Sequence, residues 1–295
     1  MRYRLRYRQE VLAFLQRAFG VEKWDFTLPP GTGSETYLAH GGERSYFVNL
    51  GGYPERTIAM SEAGLSPPVL ATDYLEDGTS ILVQAYVEGR TPRRGDYHAH
   101  LEQVAALIRK MHHDPNVRKA LPASRSDLYS DVGRDAVADV RRRWEVYKEA
   151  IPGVAAFVAR SLDYLARQVE DFTGSGLVAS HNDFCNANLL LTGDGCIYVV
   201  DLDAMSMEDP ARDVGVTLWW YYPPEMRSRF LQIAGYGDDP QFQRRMRVRT
   251  ALHCLGITLP RAGSFDRFDP SSYAERLADF RAALAGEENP QGYGD

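Results

Sequence analysis

Cysteine is scarce in this 295-residue chain: there are three, Cys185, Cys196 and Cys254, with no regular spacing. That excludes a disulfide framework and a cysteine-rich zinc site, and makes the reducing cytoplasm the expected compartment. Long apolar runs are also missing. No window approaches about 18 uninterrupted apolar residues, so no membrane-spanning helix and no membrane partner are expected. The start, MRYRLRYRQE, is basic, but no apolar core or small-residue cleavage site follows it, and no secretion signal is expected. Basic excess is lacking too. The 34 Lys+Arg stand against 40 Asp+Glu, a formal net charge of −6, which disfavours a nucleic-acid partner. Arg2, Arg4, Arg6 and Arg8 alternate with Tyr3, Leu5 and Tyr7 and read as a solvated basic edge. What remains is 44% apolar and 25% charged, an ordinary globular composition with room for one or two domains.

The patterning changes along the chain. Residues 9–19 place Val11, Leu12, Phe14, Leu15 and Phe19 near one helical face. Residues 24–50 read as strands broken by Gly and Pro, with a hairpin around His40-Gly41-Gly42. Further strands are expected at 67–76 and 79–87, turning at Asp77-Gly78. From Asp96, read as a helix cap, Leu101, Val104, Leu107, Ile108 and Met111 recur at helical spacing. Helical patterns continue over 131–149, 154–171 and beyond 211. A strand–loop–strand segment interrupts them. The expected organisation is a β-rich part over 1–88, a helical part over 89–285 and a frayed tail over 286–295.

The informative residues sit in that interruption. Asp183 and Asn188 are five apart in His181-Asn182-Asp183-Phe184-Cys185-Asn186-Ala187-Asn188, and Asp201 follows Asn188 by 13. Strands joined at Gly193-Asp194-Gly195 would bring Asn188 and Asp201 side by side. Hard oxygen ligands converging from two strands suit magnesium. Asp183 would then be free to take a proton from a hydroxyl. Phosphoryl transfer needs little more than a placed nucleophile, a base and cations on the phosphates. The bland alternative is that Asp183 and Asn188 merely cap turns.

Taken together, HNDFCNAN, VVDLD, Asp209-Pro210-Ala211-Arg212-Asp213, the helix end Leu107–His112 and Ile81–Gly89 resemble the aminoglycoside phosphotransferase and choline kinase superfamily, small-molecule relatives of protein kinases. The resemblance spans about residues 28–225. It implies a protein-kinase-like α+β fold, with a small antiparallel sheet and a larger helical part. It also implies a Mg2+-dependent transfer from ATP or GTP to a small-molecule hydroxyl. Asp183 would be the catalytic base, and Asn188 and Asp201 the metal ligands. Gly31, Gly33 and Ser34 would cover the phosphates, and the strand around Gln84 and Tyr86 would meet adenine. Asp213 and His181 would brace the loop, and Cys185 would only pack. Asp203 would be either a second metal group or a cap. Trp219–Tyr222 would lie near the acceptor, where aromatic faces can hold an amine; burial of some of the four at helical spacing is the bland alternative. Glu208, Asp209, Asp266 and Asp269 would suit an aminoglycoside or a choline-like amine, or would simply be solvated surface acids. His98, His100, His112 and His113 form no metal set.

One departure stands out. The family's strand lysine is replaced by Asn49, and only residues 53–62 are left for the helix that carries its glutamate partner. Arg44 or Arg56 would have to supply the charge, and Glu55 or Glu62 would be the remnant glutamate. The alternative is a nucleotide-binding pseudokinase with a regulatory role.

Overall fold

The computed structural model describes residues 7–27, 36–237, 239–260, 268–270 and 273–294. In chain order the elements begin with α1 (Arg8–Phe19), β1 (Trp24–Thr27), β2 (Thr36–Gly41), β3 (Arg44–Leu50), α2 (Pro54–Glu62), β4 (Val69–Tyr74), β5 (Ser80–Ala85) and β6 (Gly89–Arg90). Helices α3 (Arg94–Ala99), α4 (Leu101–His113), α5 (Pro115–Lys119), α6 (Tyr129–Tyr147) and α7 (Pro152–Glu170) follow. Then come β7 (Val178–Ser180), β8 (Leu189–Thr192), β9 (Ile197–Val199) and β10 (Ser206–Glu208). The chain closes with α8 (Ala211–Tyr221), α9 (Pro224–Ala234), α10 (Pro240–Thr258) and α11 (Tyr273–Ala285). Among the described residues no helix is long and apolar enough to cross a membrane.

These elements form two compact units. The first runs to Thr91 and takes in Asn188–Asp203; the second comprises Pro92–Ala187 and the chain from Ala204 onward. In the first unit, five antiparallel strands lie in the order β1-β2-β3-β5-β4. Strand alternation turns Tyr46, Val48 and Leu50 of β3 to one face. They pack with Tyr37, Ala39, Ile81 and Val83, and with Val11, Phe14 and Leu15 of α1. Each Val, Leu, Ile or Phe side chain among them contributes about 1.5–3 kcal/mol of burial. A smaller sheet, β6-β8-β9, completes the unit.

The second unit is mostly helical. Its core joins α6, α7, α8, α10 and α11 through Val140, Trp144, Leu162, Leu165, Leu252 and Phe280, with others. Strand β10 pairs β7; three residues, Ser206–Glu208, carry too little periodicity to be read as a strand. Asp96 does not cap the long helix α4. Its carboxylate accepts from Arg93 N at 2.7 Å and closes a capping box on the short α3.

Candidate active site

In the helical unit the loop after β7 is held from several sides. Asp213, 1% exposed on α8, accepts from His181 N at 2.8 Å and Asn182 N at 2.9 Å. His112 of α4 stands with its Nε2 3.2 Å from the same carboxylate, and its Nδ1 meets the Tyr236 hydroxyl at 2.6 Å. Burial alone would push the Asp213 carboxyl up. The hydrogen bond and charge of His112 and the charge of His181 override it, and hold the carboxyl well below the usual carboxylate range. Asn182 adopts φ +68, a left-handed conformation that asparagine tolerates. Its Nδ2 donates to Ala204 O at 2.8 Å and Ser206 Oγ at 2.7 Å, and its carbonyl accepts from Arg212 at 3.0 Å. Asp183, next along, is exposed. It therefore follows a residue whose backbone N–H, carbonyl and side chain are all engaged.

Asp183 lines a cavity of about 690 Å³ together with Asp135, Arg143, Glu208, Arg212 and His253, among others. Most of the charge in this wall is already spent. Glu208 lies between Arg212 at 3.2 Å and Arg249 at 2.5 Å. Arg143 pairs with Asp139 at 2.8 Å and donates to Gly256 O and Leu259 O. Behind the wall, Asp209 is held by Arg245 at 3.0 Å. Glu208 and Asp209 are thus not available to a cationic acceptor, contrary to expectation. Asp269 is exposed, and Asp266 lies outside the described residues. The aromatic run is also consumed by packing. Tyr221 stacks on Tyr97 with centroids 3.9 Å apart, Tyr222 packs on Phe230, and the Trp219 indole donates to Glu287 O. None of Trp219–Tyr222 lines the cavity with Asp183.

His253 carries no motif, and nothing in the sequence singled it out. Burial first, then Arg212 and Arg143, lower its pKa to about 4 from the ordinary 6.5, against the pull of Asp183 and Asp213. The folded chain binds this proton less readily than the unfolded chain. Unfolding free energy is therefore expected to rise with pH between about 4 and 6.5. Denaturant melts across that range check this, with His253→Gln flattening the slope.

In the sheet unit, β8 and β9 pair antiparallel, Leu189 opposite Val199. Val200 N donates to Asn188 O at 2.9 Å. The ladder sets buried Asn188 and exposed Asp201 at the same end of the hairpin. Asp201 takes φ +58, a strain of about 1–3 kcal/mol for a non-glycine residue, of the kind that gathers at functional sites. Asp203, two residues on, has its carboxyl raised by burial and by the Asp201 charge, with Arg56 opposing. A Cβ on Gly52 would lie 3.4 Å from Asn49 Nδ2 and 3.8 Å from Asp203 Oδ1, so Asn49 of β3 and Asp203 border one point.

The missing strand cation has a neighbour there. Arg56, 7% exposed on α2, donates to Asp203 O at 3.0 Å and lies 3.7 Å over the Tyr53 ring. Arg44 is exposed at the opposite end of β3 from Asn49. Glu55 and Glu62 are exposed, and neither joins an ion pair among the described residues. The Gln84 side chain turns inward, donating to Ser66 Oγ at 3.1 Å and Pro67 O at 2.8 Å. Ala85 N and Tyr86 N donate to Pro68 O and Ser45 O. Gly31, Gly33 and Ser34, with the rest of 28–35, lie outside the described residues, as do Arg2, Arg4 and Arg6. Among the described residues no three His, Cys, Asp or Glu side chains cluster as a metal site. An aspartate, an asparagine and nucleotide oxygens would not need such a cluster.

Comparison with known proteins adds three findings. The model of the phosphotransferase enzyme family matches residues 53–247. A homoserine kinase of Rhodopseudomonas palustris (strain BisB5) is 24% identical over 291 residues, 94% of this chain and 82% of the kinase. Two solved structures share the fold. One is a choline/ethanolamine kinase family protein from Mesorhizobium loti, with TM-score 0.68, 20% identity and coverage of 96% and 95% of the two chains. The other is a thermostable mutant of the aminoglycoside phosphotransferase APH(4)-Ia, in ternary complex with AMP-PNP and hygromycin B. It gives TM-score 0.63, 23% identity and coverage of 94% and 98%. The small antiparallel sheet with a larger helical part is thus the protein-kinase-like α+β arrangement.

Proposed function

This chain belongs to the phosphotransferase enzyme family, and on that premise we propose that it moves the γ-phosphoryl group of ATP or GTP, with Mg2+, to a hydroxyl of a small molecule in the cytoplasm. One observation carries the reading: an exposed aspartate, Asp183, opens into a cavity of about 690 Å³ from a loop held on every side. A loose phosphoryl-transfer transition state asks for positioning and charge more than for covalent chemistry. Asp183 orients the acceptor hydroxyl and takes its proton. Asn188 and Asp201 are the residues that would hold magnesium, which when bound neutralises charge on the phosphates. The backbone beyond Tyr86 would meet the base, since Ala85 N and Tyr86 N are engaged in the sheet. Gly31, Gly33 and Ser34 remain the proposed phosphate cover.

The donor is supported by the AMP-PNP complex of the aminoglycoside phosphotransferase. The acceptors to try are those in the names of the relatives: homoserine, choline and hygromycin B. A phosphate-transfer screen over these and other hydroxyl compounds, with ATP and GTP, tests the proposal. Transfer is expected to stop on adding EDTA and to return with magnesium. Asp201→Ala is expected to lower it by about 10²–10³-fold, the usual cost of losing a charge-stabilising group. Equal transfer by Asp201→Ala would overturn the metal assignment.

Arg56 is proposed to supply the charge absent at Asn49. Arg56→Gln should weaken nucleotide binding about 10- to 100-fold, as expected for one charge-assisted hydrogen bond of about 1.5–3 kcal/mol. Asn49→Lys should then add little in the wild type and restore affinity in Arg56→Gln. Isothermal titration with Mg-ATP measures both, and a large gain for Asn49→Lys alone would leave Arg56 without this role.

A further inference from the structure

His253 is a polar group facing the Asp183 cavity that the proposed reaction does not use. It is partly buried on α10. Its spacing to Arg249 and Gly256, four residues before and three after, puts the three on one helical face, and all three line the cavity. That wall is built tightly. A Cβ on Gly256 would meet Arg143 Nη2 at 3.1 Å, so glycine lets the arginine lie against the helix.

The His253 imidazole differs from those of His40, His98 and His112. His40 meets Ser45 Oγ, His98 meets Tyr221 O, and His112 meets Tyr236 and Asp213. His253 makes no hydrogen bond, ion pair or ring contact among the described residues. A ring nitrogen without a protein partner on the cavity wall leaves a hydrogen-bonding position that a ligand group can fill. The wall also limits what that group can be. Burial first, then Arg212 and Arg143, act against positive charge on the ring, with Asp183 and Asp213 opposing. A ring kept uncharged can bond a hydroxyl or a carboxylate, whereas a quaternary ammonium carries neither a donor nor an acceptor to meet it.

We infer that His253 is an acceptor-positioning residue: it holds a second oxygen-bearing group of the acceptor, a hydroxyl or carboxylate without positive charge, beside the hydroxyl presented to Asp183. The inference rests on the cavity being the acceptor site of the proposed reaction.

The test follows the His253 ring-proton resonance, assigned by its loss in His253→Gln, as L-homoserine, choline and hygromycin B are added separately to nucleotide-free protein. A shift is expected with L-homoserine or hygromycin B, which carry further oxygen groups, and none with choline, whose other polar group is a quaternary ammonium. A resonance moved by choline, or by none of the three, overturns the inference. For any of these compounds that is phosphorylated, His253→Ala should raise the acceptor KM about tenfold and the nucleotide KM by less than about twofold, and His253→Gln should recover part of the loss. Equal changes in both KM values would mark a structural role and overturn the inference. A shift at His253 with no phosphate transfer to any acceptor would uphold the binding contact at His253 and overturn the phosphotransfer reading, and with it the acceptor role.

Discussion

Asp183→Asn is expected to lower the turnover of phosphate transfer by about 10²–10⁴-fold, the range for removing a general base, and to leave the fold unchanged. Both halves follow from where the residue sits. Its carboxylate is exposed and faces the cavity, so an amide of equal size there disturbs no core. The loop takes its shape from the neighbours. Asn182 is tied to Asp213, Ala204, Ser206 and Arg212, and Cys185 N donates to Asp183 O at 2.8 Å through the backbone. The amide keeps the hydrogen-bonding reach of the carboxylate but cannot take the acceptor's proton. Steady-state kinetics and a thermal melt together check the expectation. Activity above about a tenth of wild type, with an unchanged melt, would show that another group serves as base.

Asp213→Ala is expected to act in the opposite way, on stability first. The substitution removes the acceptor of two backbone N–H groups and a partner of His112, all buried. Breaking a buried charge cluster by deleting one member costs about 3–5 kcal/mol. For a chain of this size each kcal/mol lowers Tm by roughly 2–4 °C. Catalysis should fall as well, because His181 and Asn182 set the direction of Asp183. A sign can be attached. The Asp213 carboxyl is held below its ordinary 3.8, so its contribution is present above about that pH and is lost as pH falls through the folded value. Acid unfolding of Asp213→Asn should therefore show a shallower dependence below pH 3.8 than wild type. An Asp213→Ala protein that melts like wild type would refute this bracing role.

The two residues differ in how readily a sequence exposes them. Asp183, Asn188 and Asp201 stand at fixed spacings along one strand–loop–strand stretch, and Gly193-Asp194-Gly195 announces the turn that pairs them. A short loop and a short hairpin leave the backbone few alternatives, so the expected hairpin is the one found, with Gly195 at φ +85. The β-hairpins at Gly42 and Gly78 were legible for the same reason. Asp213 was legible only through its resemblance to a family pattern, since nothing local shows that its carboxylate faces His181 and Asn182, more than 30 residues back.

Other residues were misread because their partners are distant. Glu208 and Asp209 read as acids open to an amine until Arg249 and Arg245 are brought onto them by α10. Trp219–Tyr222 left burial and amine binding both open, and burial is what Tyr97, Phe230 and the chain near Glu287 impose on three of them.

The scarcity of cysteine, of basic excess and of long apolar runs narrowed the chain to a globular protein without a disulfide framework, and the spacing of Asp183, Asn188 and Asp201 pointed to phosphoryl transfer. Those features are local or compositional, so no fold is needed to see them. The tertiary structure decided which charges are spent on one another and which face open space: Arg56 beside Asp203, Glu208 between two arginines, His253 unpartnered in the cavity wall. The physical reason is that charge pairing and burial depend on distance in space: Arg56 and Asp203 are 147 positions apart, and Glu208 meets Arg249 as well as its near neighbour Arg212.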